Sequence, residues 1–310
     1  MTALRSPNRA NVATYPGDSA DWPHPIGQSA DLFLAYPRNM PHLDVEGAQL
    51  YYETDSHISS PALLLIHAGI ANLRMWDPQV PTLAENHFVI RFDTRGYGQT
   101  TTEDVEFSNR ADALDLLDHL GIQKATLIGC ARGGGIAIDL AVENPDRVAG
   151  LLTIGSGPSG FPETELTSEE DDLFDQLDAA FEAGDWNTLY DLEVRLWCIG
   201  PTRNEADLDP DFVAAAYELN RMNIAHVDDR PVPIPLEPPA YDRLVDIAVP
   251  TFVMVGEQDL SAALTQYEYL LSTIPGADGA TFRDSAHIPS VERPDIFELL
   301  LTGWLARHKL

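Results

Sequence analysis

The chain has 310 residues, 44% of them hydrophobic, and its 49 acidic and 19 basic side chains give a formal charge of −30. That length buries one large core, or one core with a substantial insertion, and leaves little room for two unrelated domains. An acidic excess of this size repels phosphate backbones and anionic lipid surfaces, so neither nucleic acid nor a membrane is an expected partner, and its plainest meaning is a solvated surface.

Residues 1 to 41 contain six prolines and few clustered aliphatics. They read as an extended N-terminal arm without a core of its own, suited to drape over the body or over a second subunit of a homo-oligomer. The first residues lack an apolar segment of secretory-signal length, and aliphatic runs such as ALLLIHAG are far shorter than the ~20 residues of a membrane span. A cytoplasmic location is the resulting expectation.

Regular structure begins at HLDVEGAQLYYET (42 to 54), where Gly47 separates two β-forming segments as a hairpin turn does. Short aliphatic strands follow at 62 to 66, 88 to 92, 125 to 128, 148 to 154 and 251 to 255, each bounded by Gly, Pro, Asp or Asn. Between and after them, Ala113, Leu116, Leu117 and Leu120, then Gly133, Ile136, Ala137 and Leu140, then Phe297, Leu300, Leu301 and Trp304 give helical faces. Strand and helix alternating in this way predict an α/β fold, a mostly parallel sheet flanked by helices.

The alternation breaks over 157 to 240, which predicts a helical insertion in a core made of 42 to 156 and 241 to 310. Its apolar faces are Leu173, Leu177, Ala180 and Phe181, then Leu189, Leu192 and Leu196, then Phe212, Ala215, Ala216 and Leu219. Residues 163 to 211 carry sixteen acidic and two basic side chains, and PVPIPLEPPA leads back to the core. The two cysteines, Cys130 and Cys198, lie in differently composed regions, which argues against a disulfide framework.

ATLIGCARGGGIAIDLA (125 to 141) is a strand, a tight turn and a helix, with Gly129 and Gly133 two residues either side of Ala131. Alone, such a glycine-rich turn is also what simple packing produces. The segment resembles the G-x-S-x-G nucleophile turn of the α/β-hydrolase superfamily, with alanine at the serine position. Further landmarks occur in that superfamily's order. LLIHAGIANLRMW resembles its His-Gly loop, which implies the Gly69 amide, with Ile70 behind it, as one oxyanion donor and the Arg132 amide as the second, His67 being structural. FDTRGYGQT resembles an architectural D-x-R-G-x-G loop. VPTFVMVGEQDLSA and RDSAHIPSVERP carry the residues that the resemblance implies as acid and base, Asp259 (with Glu257 the alternative) and His287, the latter in an H-x-P-x-x-E-x-P context.

The resemblance covers about 42 to 308 and implies a capped carboxylic-ester or lactone hydrolase working by acyl transfer, with a small-molecule ester or lactone as its partner. As written, the chain is expected to be inactive, because a methyl group cannot attack a carbonyl. Three explanations compete: an engineered serine-to-alanine replacement that holds substrate, a natural pseudo-hydrolase acting as a small-molecule receptor, or Cys130 as an unconventional nucleophile. Cys130 lies one residue too early for its side chain to project between base and oxyanion donors, and the retained acid, base and donors favour the first explanation. Trp186, Trp197, Phe181 and Tyr190 are candidates for the pocket wall, or equally for packing within the insertion. No metal-ligand spacing and no phosphate-binding or dinucleotide motif is present, so no cofactor is expected.

Overall fold

Ala62, Leu64 and Ile66 of the segment ALLLI face one side of a sheet and Leu63 and Leu65 the other, and all five are buried. Alternation with both faces dry is what a strand flanked by helices on each side requires. The computed structural model of the protein describes residues 41–310, and the predicted arm, apart from Pro41, lies outside them.

Eight strands carry the core: β1 (His42–Val45), β2 (Ala48–Asp55), β3 (Ala62–Ile66), β4 (Phe88–Phe92), β5 (Ala125–Cys130), β6 (Val148–Ile154), β7 (Thr251–Gly256) and β8 (Asp278–Phe282). They lie in the order β1-β2-β4-β3-β5-β6-β7-β8, and a short strand, Thr101–Thr102, pairs beside β2. β1 with β2 and β2 with β4 are antiparallel, and every later pairing along the path is parallel. The crossovers pack on both faces. On one, Ala113, Leu116 and Leu117 of α1 (Asn109–His119) meet Ile136, Ala137 and Leu140 of α2 (Arg132–Glu143). On the other, Phe297, Leu301 and Trp304 of the closing helix, Pro294–His308, meet Trp76.

Between β6 and β7 the chain is mainly helical: α3 (Ser168–Ala183), α4 (Trp186–Glu193), a π-helical turn (Val194–Ile199) and α5 (Pro210–Arg221). Thr167 caps α3 reciprocally with Glu170, and Gly184, at φ 65°, ends it. The predicted apolar face of α3 holds at Leu177 and Ala180, but Phe181 is 39% exposed and lies edge-on to Trp186 at the helix end, at the rim of that packing. A helix, α6 (Ser261–Thr273), and strand β8 complete the core before α7 (Pro294–His308). Among the described residues no helix is long and apolar enough to cross a membrane.

Candidate active site

β5 ends in a turn that only small residues permit. A Cβ on Gly129 would lie 2.4 Å from the Gly133 carbonyl oxygen, and one on Gly133 would lie 2.3 Å from that of Ile66, so α2 starts pressed against both strands. Ala131, between them, has φ 50° and ψ −118°, a conformation that costs an L-residue about 1–3 kcal/mol. Its N–H donates to Ile154 O (2.7 Å) and its carbonyl accepts the first α2 bond, from Gly135 N (3.1 Å). The turn is therefore anchored on both sides of a strained residue whose side chain is a methyl group.

Asp259 and His287 come from the ends of the two elements beyond. Asp259 follows β7 and is 7% exposed, and His287, in the loop before α7, is 8% exposed. The imidazole Nδ1 lies 2.9 Å from each Asp259 carboxylate oxygen, and Leu260 N donates to Oδ1 at 2.7 Å. Nε2 of His287 has no hydrogen-bond partner among the described residues. Gly155, at the end of β6, must be glycine here, since a Cβ would lie 2.9 Å from Asp259 Oδ2 and 3.1 Å from His287 Nδ1. Glu257, the other acidic residue of that loop, is exposed and accepts from Thr281 Oγ1 (2.6 Å).

The loop that carries His287 is held from three directions. Its N–H donates to Trp197 O (3.3 Å) in the π-helical turn, its carbonyl accepts from Cys130 Sγ (3.5 Å), and Glu292 both accepts from Ala286 N (3.2 Å) and pairs with Arg203. In sequence Glu292 was only part of a motif, because its partner lies 89 positions away. Trp197 and Ala131 both pack against the same buried cluster, while Tyr190 lies tilted against Tyr217 and Trp186 meets Phe181 edge-on. Burial raises the Cys130 thiol well above its usual range, with the Asp259 charge adding to the effect, which removes the thiolate that a cysteine nucleophile needs.

Gly69 sits in a turn closed by Ala71 N on Ala68 O (3.1 Å), and neither its N–H nor that of Arg132, at the first position of α2, has a partner among the described residues. Two loops behind them are tied together. Asp93 accepts from Leu73 N (2.7 Å) and Gln99 N (2.8 Å), burial pushing its carboxyl up to about 6, and Arg95 of the same loop makes a two-bonded pair with Asp112.

His67 is fully buried. Its Nδ1–H donates to Ala68 O (2.8 Å) and Nε2 accepts from Thr94 N (3.0 Å), so the ring is neutral. Burial drives it down to about 3; the bond to Ala68 opposes that shift and the Arg132 charge reinforces it. An unfolded histidine protonates near ~6.5, so this contribution to stability is complete above that pH and is lost as pH falls toward 3. The stability difference between the parent and His67→Gln, measured by urea unfolding, should therefore shrink by roughly 3 kcal/mol from pH 7 to pH 4. Parallel stability curves would mean that His67 titrates as if exposed.

A sequence profile described as alpha/beta hydrolase fold matches residues 61–294. The chain belongs to that family. It is 24% identical over 269 residues to 3-oxoadipate enol-lactonase 1 of Acinetobacter baylyi, covering 84% of this chain and 94% of that protein. With a pimeloyl-[acyl-carrier protein] methyl ester esterase of Photorhabdus laumondii it shares 24% identity over 266 residues, 85% of this chain and 98% of the other. The crystal structure of the enol-lactonase from Burkholderia xenovorans LB400 superposes with a TM-score of 0.68 at 24% identity, over 86% of this chain and 100% of that one, a likeness of fold.

Proposed function

We propose that the chain is an ester or lactone hydrolase of the serine type whose nucleophile position holds alanine, so that it binds substrate without turning it over. The observation that carries this reading is Ala131 itself: a residue with no reactive atom is kept in a strained backbone conformation, φ 50°, beside a histidine already oriented by a carboxylate. Pure packing gains nothing from that strain, whereas a side chain presented to a carbonyl needs it. The names of the relatives, an enol-lactonase and a methyl ester esterase, support the ester and lactone class.

In this reading residue 131 was a serine. Its oxygen adds to the carbonyl carbon as its proton passes to His287 Nε2, the carbonyl oxygen becomes an anion held by the Gly69 and Arg132 amides, and the leaving alkoxide takes the proton from His287. Water then gives a proton to His287 as its oxygen attacks the acyl carbon, and the acyl–serine bond breaks as His287 returns that proton to the serine oxygen, freeing the acid. Asp259 keeps Nδ1 protonated and steadies the cation. Residues 157–240 are the cap, and its Trp197 carbonyl accepts from the His287 N–H.

The test uses the chain as it stands. Binding of intact short acyl esters and lactones should raise the melting temperature, since a ligand at 100 times its Kd adds about 2.7 kcal/mol, and chromatography of the mixture should recover it uncleaved. A panel in which no ester or lactone shifts the melting curve or binds by calorimetry would sink the proposal.

A further inference from the structure

The helical insertion touches the loops of Asp259 and His287 through residues 197–203. The π-helical turn closes with a bond from Gly200 N to Arg195 O (3.1 Å), and the last carbonyls of a helix have no donor within it. That of Trp197 takes the His287 N–H (3.3 Å). Gly200 follows, at φ 96°, wedged between the two loops: a Cβ there would lie 2.8 Å from Gln258 O and 3.2 Å from Ala286 Cβ, the chain neighbours of Asp259 and His287. Both the backbone angle and the space require glycine. Arg195 clamps the bend from within, Nη1 donating to Gly200 O (2.7 Å) and Nη2 to Pro201 O (3.2 Å).

Arg203 extends this contact with a charge. Its guanidinium forks onto Glu292, Nη2 to Oε1 and Nη1 to Oε2 (3.2 Å), and the same Oε2 accepts from Ala286 N (3.2 Å). The Arg203 side chain is 10% exposed and that of Glu292 5%. A carboxylate so nearly buried depends on its counter-charge; deprived of it, the group takes up a proton or turns toward water, and in either case its hold on the Ala286 N–H weakens. Asp259 fixes the direction of the imidazole through Nδ1, whereas the backbone on which the ring stands is fixed by Trp197, Cys130 and the Arg203–Glu292 pair.

On the basis of the ester and lactone reading, we propose that Arg203 is a positioning residue for His287, acting through Glu292 and the Ala286 amide, so that residues 197–203 of the insertion are part of the support of the reacting centre. Displacing a reacting group by about 1 Å costs on the order of 10²-fold in rate, so a slack loop lowers turnover even when the pocket is intact. Arg203 and Glu292 are engaged with each other and with Ala286, so substrate affinity should not depend on them.

In the Ala131→Ser protein, assayed well below its melting temperature, Arg203→Met should lower kcat by ~10- to 100-fold with little change in KM for the same ester. Arg203→Lys keeps the charge without the fork and should recover part of the loss. Should Arg203→Met fail to fold, the double variant Arg203→Met with Glu292→Gln removes the uncompensated charge as well; it should regain stability and keep the low kcat, because nothing then fixes residue 292. A folded variant with lowered melting temperature and unchanged kcat makes the pair structural and overturns the proposal. So does a raised KM at constant kcat, which would put Arg203 on the substrate. A second measurement needs no turnover. In the Ala131 chain the His287 Nδ1–H, bonded to Asp259, gives a downfield proton resonance, assigned by its loss in His287→Ala. Arg203→Met, or the double variant, should shift or broaden that resonance, and an unmoved one overturns the proposal. If Ala131→Ser hydrolyses no ester, the hydrolase reading falls and this resonance alone decides whether Arg203 places His287.

Discussion

Replacing Ala131 with serine is expected to raise ester or lactone turnover by about 10⁶, the loss seen when a comparable site gives up its serine. The backbone already stands where the side chain has to point, at φ 50° and ψ −118°, and α2 and β6 anchor it on both sides, so the substitution adds one oxygen and needs no rearrangement. His287 Nε2 is free to take the proton, and burial of the Cys130 thiol, which raises its pKa well above the usual range, keeps the background from a neighbouring nucleophile low. Turnover of a short ester panel checks the gain, and His287→Ala in the serine form should abolish it. A folded Ala131→Ser protein that hydrolyses nothing, while the parent still binds ester or lactone, would instead favour a pseudo-hydrolase that senses a small molecule.

Much of this architecture was legible in the sequence, and the parts that were not share a physical cause. The parallel strands stood out because two buried faces demand continuous aliphatic runs, as in ALLLI and VAGLLTI, and α1, α2 and α7 because one buried stripe leaves a helical period. β8 did not: DGATF lies at the sheet edge with only Phe282 fully buried, so it carries neither a run nor a clean alternation. α6, with Tyr267, Tyr269, Leu270 and Leu271 all packing on the core, spreads its apolar residues too widely for a single stripe. The π-helical turn was invisible because Leu189, Leu192 and Leu196 keep the spacing of an ordinary helix up to the point where the backbone widens. Contacts between distant segments were out of reach altogether. Glu170 read as an acidic surface residue, yet at 2% exposure it caps α3 and accepts from both Ser261 N and Ser261 Oγ (2.6 Å each), tying the helical insertion to the helix that follows Asp259.

Asp259→Asn in the serine-restored chain is expected to lower kcat by about 10⁴, the cost of the wrong imidazole tautomer in a comparable site. The carboxylate takes two roles at once: it accepts the Nδ1 proton at 2.9 Å, leaving Nε2 bare for the serine, and it carries the charge that steadies the imidazolium. An asparagine keeps the shape and the bond from Leu260 N, but its amide nitrogen can turn toward Nδ1 as a donor, which moves the proton to Nε2, where it blocks the attack. The loss should therefore fall on kcat with little change in binding of the uncleaved ester, and the melting temperature should move far less than activity. Glu257→Gln is the control from the same loop. Its side chain is exposed and bonded to Thr281, so the serine form should tolerate the change nearly unaltered. A severe loss from Glu257→Gln beside a silent Asp259→Asn would transfer the acid's role to Glu257, a reassignment that requires the two side chains to exchange places around His287 during turnover. Silence from both variants would break the link between His287 and any carboxylate, and with it the acyl-transfer mechanism.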